Sequence, residues 1–412
     1  MILFYILIAV TPFPNPPIVW RVLGSTATFK VLGALCLICA VIDIIRRGSI
    51  PRYFHTWQAR LFAALILLAS VSFFVRGYGH FLENTTLLIY SDFIVFFFVT
   101  ITLVHSRNRL RWVLLAAACG IAYGSADIIR EWLSWHQIVS GYRSGDSVGD
   151  GNYFSTTAAL IVPFVFLMMF RARKSLEKLF FLGCSLLSVT AIMLTGSRGG
   201  ALAVGASLLY VTLHSPHRVR NLILIGVLTV PLAVLVPVSP VQRLLHPNER
   251  GINTEQTRLQ AWNAGLKMFE SHPFFGVGLG NFKVLMPTYA DAGDETDTIA
   301  HNTYLEYLAE LGPLGLLFFV TIAFCAFHSL RRVRTQTHEA GPTSYLHLVA
   351  LALESGLVGY LVGACFLSAE YEKLFWVVIF LSICLPGLVP SCPDALGLTL
   401  EDSAVPAGAR ST

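Results

Sequence analysis

Charge is what this 412-residue chain has least of: 13% of its residues are Asp, Glu, Lys or Arg, while 55% are apolar. A soluble protein of this size carries roughly 25% charged residues. The shortage excludes a disordered tail protein and an ordinary water-soluble enzyme. Cysteine is present without a framework. Of eight Cys, Cys36, Cys39, Cys119, Cys184, Cys325, Cys365 and Cys384 fall in apolar runs and Cys392 follows the last run, which leaves neither a disulfide pattern nor a zinc spacing. No basic face interleaved with aromatics accompanies the net charge of +5, so nucleic acid is not an expected partner. The first apolar run lacks a small-residue cleavage site and reads as a retained helix, ended by Pro12, Pro14, Pro16 and Pro17.

What the chain has in abundance is apolar runs, most of them near the roughly 20 residues that cross a bilayer and the first one short. They fall near residues 1–11, 28–45, 59–75, 87–104, 112–129, 153–170, 179–195, 199–213, 221–238, 302–328, 345–367 and 374–390. The expected fold is therefore all-α: a polytopic integral membrane protein of about 12 transmembrane helices with a partly helical large periplasmic loop. Residues 1–238 would hold helices 1–9, 239–301 the large loop, 302–390 helices 10–12, and 391–412 a cytoplasmic, disordered tail.

Orientation follows from where the basic residues gather. Arg46, Arg47 and Arg52; Arg107, Arg109 and Arg111; Arg171, Arg173, Lys174 and Lys178; Arg218 and Arg220; and Arg331, Arg332 and Arg334 occupy one set of alternate short loops. The positive-inside rule puts that set, Arg60 and Arg410 in the cytoplasm with both termini, and the other loops outside, which in a bacterial inner membrane is the periplasm. Asp92 and Glu354 inside spans, and Asp43 and Asp127 nearer span ends, are functional suspects by default; hydrogen bonding between helices is the expected role of most. Gly356, Gly359 and Gly363 recur at helical spacing and predict close packing.

Three features of the outer face depart from a plain bundle. The stretch from Leu179 to Leu213 is too long for one span, and Thr195-Gly-Ser-Arg-Gly-Gly200 supplies the only turn between two. Arg198 thereby sits in a tight, glycine-flanked turn on the side where basic residues are disfavoured, a poor fit to a simple headgroup anchor. The second feature is the loop of about 60 residues from Ser239 to Ala300, whose length suggests function. Thr254 is positioned to cap a helix in which Leu259, Trp262, Leu266 and Phe269 form an apolar stripe able to lie on the membrane surface. Arg258 lies one turn before Trp262; locally it reads as a solvated i,i+3 partner of Glu255, or as a cation at phosphate depth. The third is His301-Asn302 at the start of the tenth span, where the positive end of the helix dipole favours a neutral imidazole able to accept a proton. Gly276-Val-Gly-Leu-Gly280 follows no strand and reads as a tight turn rather than a nucleotide loop. Asp291, Asp294, Glu295 and Asp297 read as a solvated loop more readily than a cation site.

Together these elements resemble the O-antigen ligase and polymerase superfamily. The resemblance rests on Ser197-Arg198-Gly199, Arg258-x-x-x-Trp262, His272-Pro-Phe-Phe-Gly-Val-Gly-Leu-Gly-Asn-Phe282 and His301-Asn-x-x-Leu305-x-x-x-x-Glu310-x-Gly312-x-x-Gly315, with Tyr371 and Phe375-Trp376 as a closing pattern. It spans about residues 195–376; the first half of the chain agrees only in hydropathy and span count. The resemblance implies transfer of a glycan from undecaprenyl diphosphate to an acceptor hydroxyl in the periplasm, the acceptor being lipid A-core for a ligase. It assigns the essential roles to Arg198, Arg258 and His301, with Trp262 and Asn302 as further substrate contacts. Two forked guanidiniums suit the charge developing on a departing diphosphate, and an imidazole suits the removal of a hydroxyl proton.

Membrane lipids are the other expected partners. No cofactor is expected, and no metal: the first outer loop, Pro12 to Phe29, has no Asp or Glu, whereas many lipid-carrier glycosyltransferases place an acidic metal motif there. The alternatives are an O-antigen polymerase, a protein O-oligosaccharyltransferase and, from another class, a lipid-linked-oligosaccharide transporter, against which stands the lack of any half-to-half repeat.

Overall fold

The computed structural model describes residues 1–12, 25–76, 85–138, 142–245, 249–290, 298–338, 341 and 344–390, with side chains described for all but 25–28, 76, 85–88 and 249–254. Thr254 as a cap, the acidic residues 291–297, most of the first outer loop, Cys392 and the tail 391–412 therefore lie outside the described residues.

Helices follow the apolar runs in order: α1 Ile2–Val10, α2 Ser25–Arg47, α3 Trp57–Arg76, α4 Thr85–Leu103, α5 Arg107–Trp135, α6 Gly151–Ala158, α7 Val162–Arg171, α8 Ser175–Thr195, α9 Arg198–His214 and α10 Arg218–Leu235. The long connection holds α11 Pro240–Leu245, α12 Glu249–Ser271 and α13 Phe282–Tyr289, and α14 Thr303–Gln336, α15 Tyr345–Gly363 and α16 Lys373–Cys384 complete the bundle. Among the described residues there is no strand, and the protein is an all-α, multi-pass membrane protein. Among those residues six helices are long and apolar enough to cross a membrane, seven if α6 and α7, bent by 41°, count as one span. At nine residues, α1 is too short to cross at 1.5 Å per residue.

Helix boundaries differ from the expected ones at three places. The loop helix α12 begins at Glu249 rather than after Thr254, since extending a helix already held by its packed face costs little. The span expected at 153–170 is broken, with Pro163 in the first turn of α7. The tenth span is interrupted at Gly312, whose φ of 70° and ψ of −169° are not helical, directly before Pro313. A residue preceding proline is driven out of the α region, and proline has no N–H to continue the ladder.

That break positions the large loop. The carbonyls of Ala309 and Glu310 accept hydrogen bonds from Val277 N–H (2.8 Å) and Gly278 N–H (3.0 Å). The Glu310 carboxylate accepts two more, from Gly280 N–H (2.8 Å) and Phe282 N–H (3.0 Å). The glycine turn 276–280 thus wraps a buried carboxylate, with α12 laid against the first half of α14. The packed face of α12 is Ala261, Ala264 and Met268, while Leu259 and Leu266 of the anticipated stripe face outward.

Small residues bring α15 and α9 together: a Cβ on Gly359 would strike Ala203 O, and one on Gly363 would strike Thr156 and Ala203. Four acidic residues of the helices have basic partners between or along helices. Arg334 Nε lies 2.6 Å from Glu354, which also accepts from Tyr210 Oη; Asp127 holds Arg130 at 2.5 Å, Asp92 faces Lys373 at 3.8 Å, and Asp43 pairs with Arg47. Glu354 and Asp92 thus pair between helices, the role expected of such residues, whereas the closest partners of Asp127 and Asp43 are on their own helices.

Candidate active site

At one end of the bundle the chain makes its tightest reversal. α8 ends at Thr195, Gly196 adopts φ 60°, and Ser197 caps α9 by accepting from Gly200 N–H at 3.1 Å. Arg198 is the first residue of α9. Its Nη2 lies 2.6 Å from Glu255 Oε1, which ties the turn to α12 across the large loop. Local spacing pairs Glu255 with Arg258; in the structure Glu255 reaches the turn instead. Arg258 follows on the same helix, one residue short of a full turn on, so both face the turn.

Arg258 is half-buried, and its Nε is a buried donor without a partner in the protein. Burial first, then the positive charges of Arg198 and Arg143, push its guanidinium below the ordinary arginine value, against the pull of Glu255 and Asp150.

His301 sits on the segment before α14, held on both sides. Upstream, Trp262 Nε1 of α12 donates to Ala300 O at 2.9 Å. Downstream, Thr303 N–H donates to Ala364 O (2.9 Å) at the end of α15, and Thr303 Oγ1 accepts from Ala369 N–H (2.8 Å). Asn302 uses Oδ1 to cap α14, accepting from Tyr304 N–H (3.1 Å) and Leu305 N–H (3.2 Å). Between these anchors His301 takes φ 47°, the only positive φ outside glycine among the described residues, a conformation that costs energy and recurs at functional sites. Its Nδ1 is buried with no partner in the protein. Burial, then the charge of Arg258, hold the imidazole below its ordinary value of 6.5, with Asp150 opposing. That direction favours the neutral ring.

Arg198, Arg258 and His301 thus come from three distant stretches of chain into one electrostatically connected group, Arg198 acting on Arg258 and Arg258 on His301, with Trp262 and Asn302 fixing the segment that carries the imidazole. Three further charged residues are electrostatically coupled to this group: Arg143, Arg243 and Asp150. Arg143 and Arg243 fall in the set of loops that the positive-inside rule assigns outside, the same signal that singles out Arg198. Asp150 caps α6, with Oδ1 accepting from Asn152 N–H at 2.6 Å and Tyr153 N–H at 3.2 Å; nothing local to it announces a place here. The late Phe375 and Trp376 are core residues, fully buried. Among the described residues no group of three or more His, Cys, Asp or Glu is arranged to hold a metal ion.

Residues 183–320 match the family described as O-antigen ligase, and this match supports an O-antigen ligase-type superfamily member. The matched stretch runs from within α8 to within α14 and includes Arg198, Arg258, His301 and Glu310. No curated protein matches the chain. The family indicates a glycosyltransferase-type activity on lipid-linked glycan.

Proposed function

We propose that this protein is an O-antigen ligase, transferring O-antigen glycan from undecaprenyl diphosphate to a sugar hydroxyl of lipid A-core at the periplasmic face of the inner membrane. The observation that carries the reading is the convergence of two arginines and a neutral histidine, with two buried orphan atoms, Arg258 Nε and His301 Nδ1. A diphosphate diester presents two non-bridging oxygens on each phosphorus, which forked guanidiniums bind in pairs.

The reaction is a single displacement. The acceptor hydroxyl gives its proton to His301 as its oxygen bonds to the anomeric carbon. The bond from that carbon to the diphosphate breaks, and its electron pair leaves with undecaprenyl diphosphate, whose growing charge Arg198 and Arg258 stabilise. The anomeric configuration inverts, and no covalent enzyme intermediate or metal is needed. General-base assistance contributes about 10²- to 10⁴-fold.

Purified protein supplied with lipid-linked glycan and lipid A-core in detergent should form a ligated band that His301→Ala abolishes. A polymerase would instead lengthen glycan on the carrier, and a transporter would form no new bond. Gene deletion makes the same division: bare core with long carrier-bound polymer for a ligase, core bearing one repeat for a polymerase.

A further inference from the structure

Two arginines outside the matched motifs grip the turn that presents Arg198. Arg143 Nε donates to Thr195 O at 2.8 Å, and Arg243 Nη1 donates to Gly196 O at 2.6 Å. They arrive from opposite directions along the chain, one from the loop after α5 and one from α11. Both close over Gly196: a Cβ there would lie 3.1 Å from Arg243 Cδ and 3.3 Å from Arg143 Nε. The loop bearing Arg143 is itself built. The carboxylate of Glu131, buried at the end of α5, accepts from Gly145 N–H (3.2 Å), Ser147 N–H (3.0 Å) and Tyr142 Oη.

Each of the two carbonyls takes one guanidinium N–H, which uses only a fraction of the five donors each arginine carries. Here four guanidiniums are electrostatically coupled, and the carboxylates acting on them are Glu255, Asp150 and Asp146. Burial and the three neighbouring arginines push Arg243 down to about 10. Gathering like charges at a half-buried place is unfavourable for the folded protein alone, and is offset when an anion binds.

The geometry points to Arg143 and Arg243 as the second half of the diphosphate site: each fixes the turn with one N–H, Arg143 Nη2 also reaches Asn152 Oδ1 at 3.4 Å, and the remaining donors of the two forks are left for the phosphate that Arg198 and Arg258 do not cover. This inference rests on the ligase reading, because a diphosphate is the anion that reading requires. Two guanidiniums suffice for a monophosphate; four match the two non-bridging oxygens on each of two phosphorus atoms. The pocket should therefore select diphosphate over monophosphate through Arg143 and Arg243.

The test measures binding of farnesyl diphosphate and farnesyl monophosphate to the purified full-length protein, alongside ligation kinetics. Wild type should prefer the diphosphate by about tenfold or more. Arg143→Gln and Arg243→Gln should each remove most of that preference, raise the KM for the lipid-linked donor, and leave the KM for lipid A-core unchanged. Ser197→Ala, which loosens the same turn by deleting its cap without altering charge, should keep the preference. If both arginine variants retain the wild-type preference while wild type ligates, or if Ser197→Ala loses it equally, the two arginines are turn clamps and the inference fails. If wild type neither ligates nor binds diphosphate, it is the ligase reading that fails.

Discussion

Arg198 and Glu255, 57 positions apart, meet at 2.6 Å, and this contact sets the first residue of α9 against the helix that carries Arg258. The carboxylate holds the fork that a substrate diphosphate would need. Replacing it with a neutral amide should favour the donor: Glu255→Gln is expected to lower the donor KM by up to about fivefold, the limit for a half-exposed ion pair. A raised KM would identify Glu255 as scaffold rather than competitor.

His301→Ala should reduce kcat by about 10²- to 10⁴-fold and leave diphosphate binding within a fewfold of wild type. Arg258→Gln should impair donor binding as well as turnover. Steady-state kinetics with varied donor separate the two patterns.

The base must be neutral to act. Because burial and Arg258 lower the His301 value, activity should persist below pH 6.5 and fall only as the pH drops through that lowered value. Removing the Arg258 charge moves the acid limb in the opposite direction, upward. A pH profile of kcat/KM on wild type and on the residual activity of Arg258→Gln checks both position and sign; an acid limb above pH 6.5 in wild type contradicts the assignment.

Trp262→Phe deletes the 2.9 Å bond to Ala300 O and keeps the ring. The segment leading to His301 loses one anchor, and kcat should fall about two- to tenfold, the worth of one hydrogen bond, with little change in donor KM.

Gly312 takes φ 70°, and a Cβ there would collide with Phe274 O. Gly312→Ala is expected to cost about 1–3 kcal/mol or more, read as a lowered unfolding temperature in detergent. The glycine turn and α12 should loosen together, since both are docked at this break.

Excess chelator should leave ligation at full rate, because guanidiniums supply the charge stabilisation that Mg²⁺ gives other phosphate-transfer sites. Loss of activity restored by added Mg²⁺ would return attention to Asp294 and Asp297.

The contrast between Glu310 and Asp150 shows where local reading reaches its limit. Glu310 and Gly312 stand out within a spaced pattern, and their hydrogen bonds with the glycine turn explain the spacing: a broken helix exposes carbonyls that only close-approaching backbone can satisfy. The Gly-Pro pair at 312–313 is itself a legible break signal inside an apolar run that otherwise argues for one straight span. Asp150, Arg143 and Arg243 carry no motif, and their role depends on the loop folded around Glu131 and on α11. Spacing of i,i+3 assigns Glu255 to its helical neighbour, yet the long-range partner wins, because a surface pair on one helix gains only a few tenths of a kcal/mol.

From the sequence come the membrane character, the order of the helices, the reversal at 195–198 and the choice of Arg198, Arg258 and His301. All of these follow from properties that neighbouring residues settle among themselves: apolar length, turn chemistry and the rarity of charge in lipid. The tertiary structure alone decided that four arginines are electrostatically coupled and that burial and Arg258 favour the neutral form of His301. Electrostatic influence depends on distance through space, and the folds of α12 and of the loop after α5 set that distance.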